Sequence, residues 1–197
     1  MKKLFFLLLV VLTVWKLMSD PGEVTLGPGV MAKDDPVQIN IENPSSFEFG
    51  KYRVTPLAKF KIKAKVLSRE DYSFDKEADL SPVDLALGWG NMSDEAVVDQ
   101  IEISQSGRWY RWHANSLPIP KREIETHSAN MHLIPADSFV KSEVNKARTG
   151  DIIQLSGKLV EVKSSDGWRW KSSMTRDDTG DHACEVIWVD SFAVEGL

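Results

Sequence analysis

A chain of 197 residues with 42% hydrophobic and 27% charged side chains has a globular composition, which excludes a disordered or collagen-like polymer. Its 24 basic and 29 acidic residues give a net charge of -5, and its single cysteine, Cys184, excludes an intrachain disulfide framework and a cysteine-rich zinc module. The length suits one compact domain with a tail, or two very small domains.

Residues 1–18 differ from the rest. Lys2 and Lys3 precede an apolar run from Leu4 to Trp15, followed by Lys16, Leu17 and Met18. A charged start before an apolar run is the pattern of a secretory or anchoring signal. The run spans only ~18 Å as a helix, against a hydrocarbon core of ~30 Å. Extension through Met18 helps, because Lys16 can snorkel to the headgroups while Trp15 sits in the interface. Leu17-Met18-Ser19 fits a cleavage site poorly, and no cysteine follows for lipid attachment. The expectation is an uncleaved signal anchor in a bacterial inner membrane, with the amino terminus cytoplasmic and the body periplasmic; a cleaved export signal is the alternative. Setting aside Lys2, Lys3 and Lys16 leaves 21 basic and 29 acidic residues, so the exported body carries -8. Such a body is a poor general binder of polyanions, and no nucleic-acid partner is expected.

Five of the nine prolines (Pro21, Pro28, Pro36, Pro44 and Pro56) fall in residues 19–56, with Gly22, Gly27, Gly29 and Gly50. This predicts an extended stalk, with Phe47, Phe49 and Tyr52 already near the domain. A single domain then occupies residues 57–197. Phe60, Ile62, Ala64 and Val66 alternate with Lys59, Lys61, Lys63 and Lys65, predicting a half-buried strand with an outer lysine stripe. That stripe suits either a solvated edge guarded against pairing or a surface for headgroups and polyanions. Residues 84–89 form a second strand, in which Gly88 marks a bend or close approach. Residues 93–98 read as a short capped helix. Residues 101–103 and 108–112 read as strands around a glycine turn. Asp137 caps a helix reaching about Ala147 and closed by Gly150. Strands follow over 151–162, with Gly157 inside, over 168–170, and over 183–189; residues 164–167 make a hairpin turn. The order predicts a mainly β domain, a small OB-like barrel of five or six antiparallel strands with one helix. An open antiparallel sheet or sandwich is the alternative.

The segments DLALGWG (84–90), SQSGRWYRW (104–112), HSANMHLIPA (127–136), GDIIQLSGKLVEV (150–162) and SSMTRDDTGDHACEVIWV (172–189) resemble an uncharacterised family of bacterial membrane-anchored, periplasm-facing proteins with a C-terminal RDDTGxxACE-type segment. The resemblance covers most of the body from Leu57 and rests chiefly on the last segment. It implies a location and a bacterial setting, and carries over no activity or catalytic residue.

Residues 175–185 form the densest polar cluster, with Arg176, Asp177, Asp178, Asp181, His182 and Glu185. Carboxylates there suit a hard cation, but neither the calcium-loop spacing nor the apolar flanks of an aspartic-protease loop are present. A tight turn explains the same residues. His127 and His132, at i and i+5, do not share a helical face and cannot complete a zinc site alone. His132 equally suits a buried ring with a hydrogen-bond partner. Cys184 reads as a small core hydrophobe. No cofactor and no metal are expected. Six of the seven tryptophans belong to the body. Trp89, Trp109, Trp112, Trp168 and Trp170, interleaved with Arg108, Arg111 and Arg169, suit either barrel packing or an exposed stacking face. The candidate binding set is therefore Trp89, Arg108, Trp109, Arg111, Trp112, Trp168, Trp170, Arg176, Asp178 and His132.

The sequence thus favours a membrane-tethered binding or accessory module over an enzyme. Its expected partner is another envelope protein or an unidentified ligand, met through the aromatic and arginine surface. A metal-dependent or acid–base hydrolase built on residues 176–185 with His132 is one alternative; a scaffold of an envelope complex is another.

Overall fold

A computed structural model describes residues 22–178, 180 and 183–196. The anchor expected over residues 1–18 lies outside them. Among the described residues, no helix is long and apolar enough to cross a membrane.

The protein is mainly β. Its strands are β1 (Val37–Asn40), β2 (Phe47–Phe49), β3 (Tyr52–Asp71), β4 (Val83–Gly88), β5 (Glu102–Ser106), β6 (Trp109–His113), β7 (Ser128–Pro135), β8 (Ile152–Ser164), β9 (Arg169–Lys171) and β10 (Glu185–Val194). Three short helices interrupt them: α1 (Glu95–Val98), α2 (Lys121–Thr126) and α3 (Ser138–Val144). Eight strands form one mixed sheet in the order β1-β3-β4-β7-β10-β8-β9, with β2 also on β3 and β8 pairing β3 in addition. Among the described residues, only β7 and β10 run parallel. β5 and β6 make a separate hairpin between β4 and β7.

β3 holds this arrangement together by changing partners. Its first part, Tyr52 to Lys65, pairs with β8, and its last part, Lys65 to Asp71, pairs with β4. Register shifts at Pro56/Ala58 and Val66/Ser68 let it bend between the two. The expected alternation holds along it: Ala58, Phe60, Ile62 and Ala64 are buried while Lys59, Lys61 and Lys63 face water. Lys65 breaks the predicted stripe. It points inward at 3% exposure, and its ammonium donates to Glu95 Oε2 at 3.0 Å and to the Gly150 carbonyl at 3.3 Å. The nearby bulge turns this residue, and a buried charge must be paired.

The main core gathers Leu85, Leu133, Ile153, Leu155, Leu159 and Ile187, all at 0–1% exposure. Each contributes roughly 1.5–3 kcal/mol by burial. α3 covers it with Val140 and Val144. The Asp137 carboxylate accepts from Val140 N–H at 2.8 Å and Asp94 accepts from Ala96 N–H at 2.9 Å, so both predicted helix starts carry a side-chain cap.

The proline- and glycine-rich segment differs from the expected stalk. Residues 24–56 lie on the domain. Val24 N–H donates to the Thr149 carbonyl, Leu26 N–H to Glu95, Gly29 N–H to Asp94, and Ala32 N–H to Ser93 Oγ. Ala32 is 1% exposed, and β1 and β2 extend the sheet. Sparse local hydrogen bonding, which reads as a stalk, is made good by side-chain acceptors of residues 93–95.

Candidate functional site

The two-residue link between β5 and β6 is Gly107-Arg108, with φ of 58° and 71°. Two left-handed residues make a type I′ turn, whose twist suits a hairpin. Glycine adopts this freely; arginine does not, so Arg108 has to be held. Its guanidinium grips Asp75 through two contacts of 2.8 Å, donates to Asp84 Oδ1 at 2.7 Å and to the Ser81 carbonyl at 2.9 Å, and lies 3.6 Å from the Tyr72 ring centre. Asp84 is fully buried on β4, and its other oxygen sits 2.8 Å from His132 Nδ1 on β7. The His132 ring packs against Trp170 with centroids 4.7 Å apart. Arg108, His132 and Trp170 thus form an internal lock pinning the hairpin tip to the sheet, not an outward binding face.

Beyond this lock lies a cleft of about 400 Å³, within the ~300–1,000 Å³ range of small-ligand sites. One wall is β6, from Trp109 through Trp112. The floor is the start of β7, Ser128, Ala129 and Asn130. The other wall is Arg176, Asp178, Gly180, Ala183, Cys184 and Glu185. Trp109 is 39% exposed. The Arg111 side chain is exposed and has no ion-pair or hydrogen-bond partner among the described residues. Tyr110 and Trp112 turn toward the apolar cluster of Ala86, Met92 and Ile124, and the Tyr110 hydroxyl donates to Ser128 Oγ at 3.1 Å.

The far wall is built from buried charge. Arg176 Nε lies 2.7 Å from Glu185 Oε1 without hydrogen-bond alignment, and Arg176 Nη1 donates to Gln38 on β1. The Ser173 hydroxyl donates to Asp178 Oδ2 at 2.6 Å, whereas Asp178 Oδ1 is buried without a partner among the described residues. Burial pushes the Glu185 carboxyl up to about 8, against the pull of Arg176 and its main-chain bond, and with Asp178 adding to the rise. Burial likewise raises the Cys184 thiol to about 12, with the Glu185 charge adding to it. A thiol held protonated is a poor nucleophile.

The Glu185 environment sets a pH dependence. The native carboxyl keeps its proton to about 8, whereas an unfolded glutamate releases it near 4.5. Between these values the native state binds more protons, so stability falls as pH rises. Each tenfold change in a protonation equilibrium is worth about 1.4 kcal/mol. Urea unfolding at pH 5 and pH 8 should therefore show the wild type losing about 2 kcal/mol or more relative to Glu185→Gln. A constant difference between the two proteins at both pH values would remove this assignment.

The candidate set is divided by the fold. Trp109, Arg111, Trp112, Arg176 and Asp178 meet at the cleft. Arg108, His132 and Trp170 belong to the lock. Trp89 is 1% exposed, and its indole N–H donates to Asp35 at 3.1 Å; it is a core residue. Trp168 packs on Tyr52 and Trp170. Of the residues weighed for a hydrolase, Asp178 and Glu185 share the cleft, Asp177 pairs outside it with Arg122, and His132 faces Asp84. No group of three or more metal-ligating side chains occurs among the described residues. Ser128 and Asn130 were missed as cleft residues. A polar Asn130 between Ala129 and Met131 in an apolar strand was the available signal; its amide accepts from Gln105 and donates to the Arg108 carbonyl. Comparison with known protein families, curated proteins and solved structures finds no match.

Proposed function

We propose that this protein is a membrane-tethered extracytoplasmic binding or accessory module, whose partner docks at the β6 cleft. The observation that carries the reading is Trp109 and Arg111 side by side on the cleft wall, one an exposed large aromatic and the other an unpaired guanidinium. Aromatic and arginine side chains are the residues that dominate binding energy at interfaces. The apolar run of residues 4–18 and its flanking lysines support the tether and a periplasmic body. The body is read as an OB-type barrel. In support, pairings run from β3 through β4, β7, β10 and β8 back to β3, with α3 between the third and fourth of these strands along the chain.

The test is capture of partners from cells by the full chain and by a Trp109→Ala, Arg111→Ala double variant. The variant should lose its specific partner while its folding stability changes by less than about 1 kcal/mol, because neither side chain is in the core. An unchanged partner profile with a folded variant would remove the support for this reading.

A further inference from the structure

Four consecutive residues of β6 line the cleft, and so do three consecutive residues of β7. Successive side chains of a strand point to opposite faces, so one face can offer only every second residue. Consecutive lining means that the cleft is bordered by strand edges. The register confirms which groups lie on the β6 edge. The two-residue turn makes Ser106 and Trp109 a hydrogen-bonded pair, and alternation then makes Ser104 with Arg111 the next. Tyr110 and Trp112 fall at the intervening positions. Their main-chain N–H and C=O groups face away from β5 and have no partner among the described residues. Across the cleft, Ser128 to Asn130 pair with β4 on one side only, because β10 begins opposite Met131.

Resting on the binding reading above, we propose that the ligand is an extended peptide segment that adds as a strand to the open edge of β6. Unpaired main-chain groups of Tyr110 and Trp112 supply the ladder, as in other cases of strand addition. Specificity comes from the exposed face of β6, where Trp109 and Arg111 project together. A peptide residue opposite Arg111 lies within reach of its guanidinium, and an opposite-charge cross-strand pair is favourable, so the recognised segment carries an acidic side chain there. Its neighbour two positions along stacks an apolar or aromatic side chain on Trp109.

The experiment uses the full-length protein in detergent and reads the indole N–H resonance of Trp109, assigned with Trp109→Phe. The probes are acetylated heptapeptides of alternating threonine and valine with a central glutamate, a matched set with central lysine, and the glutamate peptide N-methylated on alternate backbone nitrogens in either of the two phases. The glutamate peptide should shift the resonance, and the lysine peptide should bind at least tenfold more weakly. N-methylation in one phase should abolish binding and in the other spare it. Arg111→Glu should reverse the charge preference. Equal binding by both N-methylated peptides, or a preference unaffected by Arg111→Glu, would overturn the proposal. So would silence from every peptide while cellular partner capture still depends on Trp109 and Arg111; that result would leave the cleft a binding site for something other than a strand. Loss of that dependence as well would end the binding reading itself.

Discussion

Gly157→Ala should destabilise the protein by about 3 kcal/mol or more, near the upper end of what one substitution does. Gly157 sits inside β8, opposite Phe60 of β3 on one side and Val189 of β10 on the other. A Cβ at this position would stand 2.0 Å from the Trp188 carbonyl oxygen and 3.1 Å from the Val189 Cα. Both obstacles are backbone, and β8 is paired along both edges, so neither strand can withdraw without losing ladder hydrogen bonds. The register shift between Val189 and Ser191 occurs at this same crossing, where β10 bends over β8. At roughly 2–4 °C per kcal/mol for a chain of this size, Tm should fall by roughly 6–12 °C. Gly167→Ala is the control. Gly167 has φ of 88° and open space around it, so the substitution costs only the left-handed backbone penalty of about 1 kcal/mol. Equal thermal shifts for the two variants would mean that β8 and β10 do not approach so closely.

Arg108→Met is the second large effect, at about 3–5 kcal/mol, the usual consequence of removing one partner from a buried ion pair. Without the guanidinium, Asp84 keeps only His132 and Ser81 nearby while fully buried, and Asp75 loses its two-point contact. Methionine retains bulk against Tyr72 but still has to adopt the left-handed turn conformation. Arg108→Gly separates these causes, since it relieves the backbone at φ of 71° yet removes the charge. It should be nearly as unstable as Arg108→Met, because the ion pairs outweigh a backbone cost of about 1–2 kcal/mol. Equilibrium urea unfolding measures all three proteins. If Arg108→Gly matched the wild type, strain relief would have compensated the lost pairs and the lock would be energetically unimportant. Because the lock fixes the hairpin tip, Arg108→Met should also weaken partner capture at the cleft without touching its lining.

Local patterns were legible in the sequence; long-range satisfaction was not. Alternation along β3, the capped helix start within 93–98, the Asp137 cap, the turn at 164–167, and the close approach at Gly88 all follow from neighbours within a few residues, whereas the crowding at Gly157 comes from Trp188 and Val189 on β10. Gly88, read as a bend or close approach, would place a Cβ 2.3 Å from the Met92 carbonyl. Lys65 looked like the end of a solvated stripe because its partner, Glu95, is thirty positions away on another element. The stalk reading failed for the same reason: the acceptors that tie down Val24, Leu26, Gly29 and Ala32 come from Thr149, Glu95, Asp94 and Ser93, far along the chain. Among the aromatics, composition marked an excess without sorting it. Trp89 went to the core because Asp35 reaches its indole, and Trp170 went to the lock because His132 offers a ring. Trp109 and Arg111 remained on the cleft because β6 pairs only with β5, and the facing stretch of β7 stays open because β10 begins opposite Met131. No local pattern encodes such a start.

Site-specific photo-crosslinking in intact cells tests the central claim most directly. A photoreactive phenylalanine analogue at position 109 should give a discrete adduct that Arg111→Glu abolishes. The same analogue at position 74, where Phe74 is fully exposed away from the cleft, should give none. An adduct at position 109 that survives Arg111→Glu, or an equal adduct from position 74, would contradict the cleft as the docking site.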